Sequence, residues 1–301
     1  MKQHFKTFAL LLCIAVGMIF HGYFAPLNPV LPYLLFTMLF ITFCKVNLKE
    51  MKINKSHIIM LLFQLTCGFG VYFILRHFDE VVAQGVMSCI LAPTATAAVV
   101  VTGLLGASVT SVATYTLLTN IAISIFCPIL FSFTNSYDLA TFARSSLNIM
   151  MHVFPVIVLP MIVSIVLKFV SPKAAEFVGQ RKSLSFYVWI LTVTIVMART
   201  TEFVINQNVD NYLVEIILAA SALVICVVNF MLGRKTGSLV GDAETGGQSL
   251  GQKNTALMIW LVQSYLNPVA SVACAAYVVW QNVGNSLQLY QHQKKISKKI
   301  S

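Results

Sequence analysis

The chain has 301 residues, 58% of them hydrophobic and only 10% charged, a balance that excludes a soluble domain and calls for a polytopic membrane protein. Its formal charge of +10 does not point to nucleic acid, because the cations sit in short clusters between apolar segments, where they report topology. The seven cysteines and six histidines are scattered singly, with no CxxC or HxxxH spacing, and read as packing residues rather than a metal site or a disulfide set.

A hydrocarbon core about 30 Å thick needs about 20 apolar residues per helix. The N-terminal "MKQHFKTFALLLCIAVGMIF" has the basic start and apolar stretch of a signal peptide, but no small-x-small cleavage site follows, so it is expected as the first helix. The apolar pattern then predicts spans at 7–24, 29–45, 57–76, 81–104, 109–133, 148–170, 183–205, 211–232, 236–262 and 266–290. That reading is an all-α membrane protein of ten transmembrane helices, with no soluble domain left over. Charge agrees with it. With both termini cytoplasmic, sixteen of the twenty Lys and Arg residues fall on the cytoplasmic side and only Arg76, Arg144 and Arg199 on the other. Lys253 belongs to neither side.

The ten spans divide into two groups of five, residues 1–133 and 134–293, followed by a basic cytoplasmic tail, 294–301. The fourth member of each group is interrupted, at "SCILAPTATAAVVVTG" (88–103) and at "GSLVGDAETGGQSLGQKNTAL" (237–257). Five spans per half place the halves in opposite orientation, so the layout predicts two inverted five-helix repeats whose broken helices 4 and 9 cross near the midplane.

A broken helix leaves carbonyls bare at one end and N–H groups at the other, and so suits a cation together with an anionic substrate. The first break offers Thr94, Thr96 and Thr102, and span 5 adds Ser111, Tyr115, Thr116, Thr119 and Asn120. The second offers Glu244, Gln248, Ser249, Gln252, Lys253, Asn254 and Thr255. A charge at the bilayer centre costs ~3 kcal/mol or more, which makes Lys253 the first functional candidate. Asn254 to Leu266 is too short to cross at ~1.5 Å per residue, so residues 241–253 must also lie within the membrane. Gln64 in span 3 could reach the crossing or bond a neighbouring helix. Arg199 and Glu202, one turn apart, read as an interfacial ion pair. Trp280, Gln281 and Asn282 face either a cavity or the interface.

These residues resemble the bile acid:sodium symporter family. The resemblance rests on the "AP-T-AT" break, on "ETGGQSLGQKNTAL", and on the closing "YVVWQNVGNSLQLY" at 277–290. It implies ten helices in two inverted sets, sodium symport, and an E-x-G-x-Q-N motif in the second broken helix whose acid and amides hold sodium. Two placements fit. Glu244, Gly246, Gln248 and Ser249 keep the acid and lose the Asn, whereas Gly251, Lys253, Asn254 and Thr255 keep the Asn but put Lys253 at the amide position and Ser249 at the acid. The distance from Asn254 to Pro268 and Trp280 favours the second. A lysine there can take the place of a sodium ion, and Ala97, Ala98 and Val99 stand where sodium-coupled members carry a Ser-Asn pair.

The expectation is a secondary carrier for a small organic anion, working by alternating access in a lipid bilayer. Its termini would be cytoplasmic, in a bacterial inner membrane. Thr94, Thr96, Lys253, Asn254 and Thr255 are expected to bind the substrate. Gln64, Ser111, Thr116, Glu244, Gln248, Ser249 and Gln252 are expected to couple it to sodium or a proton. No cofactor is expected otherwise. A channel, an uncoupled exchanger and an intramembrane enzyme are the competing classes, and the chain lacks a GxSGx-type serine, paired intramembrane aspartates and the HExxH motif of the last.

Overall fold

The computed structural model describes residues 12–45, 50–135, 139–206 and 212–300. Residues 12–19 are helical, and Ala25–Val30 form a 3₁₀ turn carrying Pro26 and Pro29. The helices that follow are α1 (Leu31–Lys45), α2 (Lys55–Leu75), α3 (Glu80–Leu91), α4 (Thr96–Leu104), α5 (Val109–Asn135) and α6 (Leu139–Val170). After them come α7 (Pro172–Gly179), α8 (Lys182–Asn206), α9 (Leu213–Ser238), α10 (Ala243–Gly251), α11 (Thr255–Tyr265) and α12 (Ser271–Ile300).

The expectation of ten spans in two inverted sets of five is overturned. Among the described residues six helices are long and apolar enough to cross a membrane: His21–Lys45, Lys55–Leu75, Val109–Thr134, Thr141–Val170, Phe186–Asn206 and Leu213–Ser238. The expected first span, 7–24, begins outside the described residues, and its described part runs directly into the second. The fourth divides into α3 and α4, of 12 and 9 residues, and the ninth into α10 and α11, of 9 and 11, each too short to cross alone. Pro93 lacks an N–H and pushes Ala92 out of the helical region, to φ −46° and ψ 128°. The tenth becomes α12, whose second half is too rich in amides and lysines to count as an apolar span.

The chain forms two compact units. Unit 1 takes Met1–Asn47, Asn120–Tyr212 and Ala256–Ser271; unit 2 takes Leu48–Thr119, Leu213–Thr255 and Val272–Ser301. Within unit 1, α1 packs on α6, α7 and α8, and the Lys168 ammonium donates to the Phe43 carbonyl at the end of α1 (2.6 Å), where helix carbonyls lack partners. Gln263 donates to the Thr200 and Ser271 hydroxyls (3.0 and 3.2 Å). Arg199 and Glu202 form the expected pair at 2.6 Å.

Unit 2 is organised around glycine. α9 lies so close to α10 that a Cβ on Gly246 would stand 2.6 Å from the Gly237 Cα and 2.7 Å from its nitrogen, and would also strike the Gly233 carbonyl oxygen. Gly233 and Gly237 are four apart in "GRKTG", the spacing that lets membrane helices approach backbone to backbone. α3 is the most enclosed helix of the unit, buried from Val82 to Leu91 and capped by the Asp79 carboxylate on the Val82 N–H.

Candidate functional site

The two breaks face each other inside unit 2. Thr94 and Lys253 form an isolated antiparallel bridge, with the Asn254 N–H donating to the Pro93 carbonyl (2.7 Å) and the Ala95 N–H to that of Gln252 (2.9 Å). The Thr94 hydroxyl donates to the Ser249 carbonyl (2.6 Å), and the Thr94 N–H to the Thr119 hydroxyl (3.2 Å). Unwound backbone is tolerated at membrane depth only where its polar groups are satisfied by protein. Here each break largely satisfies the other.

The end of α3 carries the chemistry. A helix C-terminus presents carbonyls with no partner of their own and the negative end of the macrodipole. The carbonyl of Ile90 accepts from the Lys253 ammonium (3.0 Å), and those of Leu91 and Ala92 both accept from the Gln64 amide (2.7 and 3.0 Å). Lys253 is 1% exposed, and its backbone N–H donates to Gln281 (2.8 Å). Gln64 is held in turn by Tyr115, whose hydroxyl donates to its oxygen (3.2 Å). On the α12 side, Tyr277 donates to the Gly251 carbonyl (2.8 Å) and accepts from Asn229 (3.2 Å).

Of the residues the sequence singled out, the crossing brings together Gln64, Thr94, Gln248, Ser249, Gln252, Lys253 and Asn254, all buried. Thr255 is buried at the start of α11, and Thr96 opens α4, partly exposed. The others go elsewhere. Ser111 bonds the buried His57 ring (2.8 Å) near the start of α2, and the Thr116 hydroxyl donates to the Val112 carbonyl of its own helix (2.8 Å). Glu244 lies in the first turn of α10, two turns ahead of Gln252, in a two-pronged pair with Arg234 (2.8 Å for Nη2 to Oε1). Tyr277 was not visible as a site residue. Its signal, a lone tyrosine in an apolar run, is indistinguishable from packing.

The side-chain oxygens of Gln248, Ser249 and Gln252 meet no donor, while the Gln248 amide nitrogen donates to Asn285 and Gln288 (both 3.1 Å). These are neutral oxygens. A sodium ion among them would have no carboxylate to balance its charge, and the nearby break already holds an ammonium. The Arg234–Glu244 pair is itself 40% and 33% exposed, and exposed ion pairs contribute ~0–1 kcal/mol. Glu244→Gln is therefore expected to change the melting temperature little and transport by less than about twofold. Uptake measured with and without sodium checks this, and a sodium response lost in Glu244→Gln would restore Glu244 as the cation ligand.

A helical protein with six helices, among the described residues, long and apolar enough to cross a membrane is an integral membrane protein. Its sequence matches the profile of the Sodium Bile acid symporter family over residues 32–207, more than half of the chain, and the protein belongs to that transporter family. No curated protein matches it. The matched stretch includes Gln64 and the first break and stops before the second, so Lys253 stands on geometry alone.

Proposed function

We propose that the protein is a secondary carrier that moves a small organic anion by alternating access, with Lys253 as a resident cation, so that uptake does not require sodium. One observation carries the reading: the Lys253 ammonium lies on the Ile90 carbonyl at the C-terminal end of α3, where a bound cation is electrostatically favoured. The Gln64 amide, with both its nitrogen and its oxygen engaged, leaves no side-chain oxygen there for an ion. The ammonium donates to one carbonyl, which leaves N–H directions for a carboxylate or similar group. Thr94, Asn254 and Thr255 stand beside it, and Thr96 opens the next helix. We place the termini on the cytoplasmic face of a bacterial inner membrane, from the clusters of Lys and Arg in the sequence.

Uptake of radiolabelled carboxylates into proteoliposomes tests this, with sodium replaced by potassium outside the vesicles. The expected rates are equal in the two salts and saturate with substrate. Uptake that collapses in potassium overturns the resident-cation reading, and flux that never saturates overturns the carrier.

A further inference from the structure

Unit 2 also holds a pair of thiols that anion transport does not use. Cys89 on α3 and Cys274 on α12 bring their sulfurs to 3.7 Å, and both are buried, at 1% and 0% exposure. They sit on the two helices that grip Lys253: Cys89 precedes Ile90, which accepts from the ammonium, and Cys274 lies two turns before Gln281, which accepts from the Lys253 N–H. Cys226, the next thiol in that neighbourhood, is engaged with Tyr277 instead. A disulfide has its sulfurs ~2.05 Å apart, so closure needs an approach of under ~2 Å. Cys89 is in the last turn of α3, beside the break, where the helix has least to resist such a shift.

We infer that Cys89 and Cys274 form a dithiol modification site that closes to a disulfide with a two-electron thiol oxidant able to enter the bilayer, stapling α3 to α12 within unit 2. The balance is simple. Each sulfur gives up its hydrogen, the S–S bond forms, and the two hydrogens with their electrons pass to the oxidant: to the N=N bond of an azodicarboxamide, giving the hydrazine, or to a quinone, giving the hydroquinone. Burial slows the reaction and also protects the product, because exchange requires a thiolate to reach a disulfide sulfur. The bond closes a loop between residues 185 apart in sequence, and long loops lose the most unfolded-state freedom when cross-linked.

The test is oxidation of the purified, folded protein with diamide, followed by intact mass, peptide mapping and thermal melting. The expected result is a loss of about 2 Da, a mapped link between the peptides of Cys89 and Cys274, and a higher melting temperature. A polar phosphine should fail to reverse it until a denaturing detergent such as dodecyl sulfate unfolds the chain. Cys89→Ser and Cys274→Ser should each abolish the link, and Cys226→Ser should leave it. An unchanged mass, a link mapped to another pair, or a link that survives Cys89→Ser overturns the inference. The mapping on unaltered protein decides it even if a variant fails to fold, and none of these readouts depends on transport.

Discussion

Replacing Lys253 by methionine is expected to lower anion uptake by roughly a hundredfold, equivalent to the ~3 kcal/mol that a hydrogen bond to a charged group can supply. Methionine fills the volume but removes the ammonium at the crossing and leaves the Ile90 carbonyl without its donor. An unsatisfied buried acceptor costs ~1–3 kcal/mol, so the melting temperature should fall by several degrees while the protein still folds. Lys253→Gln separates charge from hydrogen bonding, because it offers a neutral donor and an oxygen. It is expected to acquire what the parent lacks, a rise in melting temperature in sodium over potassium, since ligand binding to the folded state stabilises by mass action. Wild-type uptake by Lys253→Met would reduce the lysine to a structural residue, and a sodium response in the parent that vanishes in Lys253→Gln would invert its role.

The second large effect lies in the contact between α9 and α10. Gly246→Val puts a branched side chain where even a Cβ would meet Gly237 at 2.6 Å and the Gly233 oxygen closer still. Both obstacles are backbone, which cannot rotate away, so α10 must move off α9. The expected loss is on the order of 4 kcal/mol, the range of severe overpacking. It should carry transport with it, because α10 leads directly into the second break. Gly284→Ala is the control: its Cβ would find its nearest neighbour, a Phe230 ring carbon, at 3.8 Å, an ordinary contact. Melting of the detergent-solubilised proteins decides the point. Equal melting of Gly246→Val and the parent would mean that the helices are not in contact.

The interruptions themselves were legible. Pro93 between apolar residues, and a run of glycines and amides where a span should continue, are local features that act through a missing N–H and through backbone freedom. The count of crossings was not legible in the same way. A window of apolar residues does not report whether its helix is continuous, and the fourth and ninth windows each enclose two short helices. α12 misled for the opposite reason: its helix is continuous while its composition changes along it.

At the crossing, residue type identified the candidates and tertiary contacts sorted them. Lys253 was marked by the energetic penalty of placing a charge where 13 residues could not otherwise span, an argument from length alone. Glu244 looked equally marked, being an acid in the same interrupted segment. Its partner, Arg234, lies ten residues earlier on α9, and only the hairpin brings the two together. Gln64 could have bonded any neighbour; its contacts with two consecutive carbonyls at the end of α3 follow from how α2 packs on α3.

From its sequence alone, this chain was determined to be a helical membrane protein with two interrupted helices and one embedded lysine, because hydropathy, proline and charge act locally and can be read one residue at a time. Only the tertiary structure decided that six helices among the described residues run long enough to cross, that Glu244 is tied to an arginine, and that the Lys253 ammonium ends on the Ile90 carbonyl. Those outcomes depend on which bare carbonyl lies within hydrogen-bond reach of which donor, a distance of about 3 Å between segments far apart in the chain.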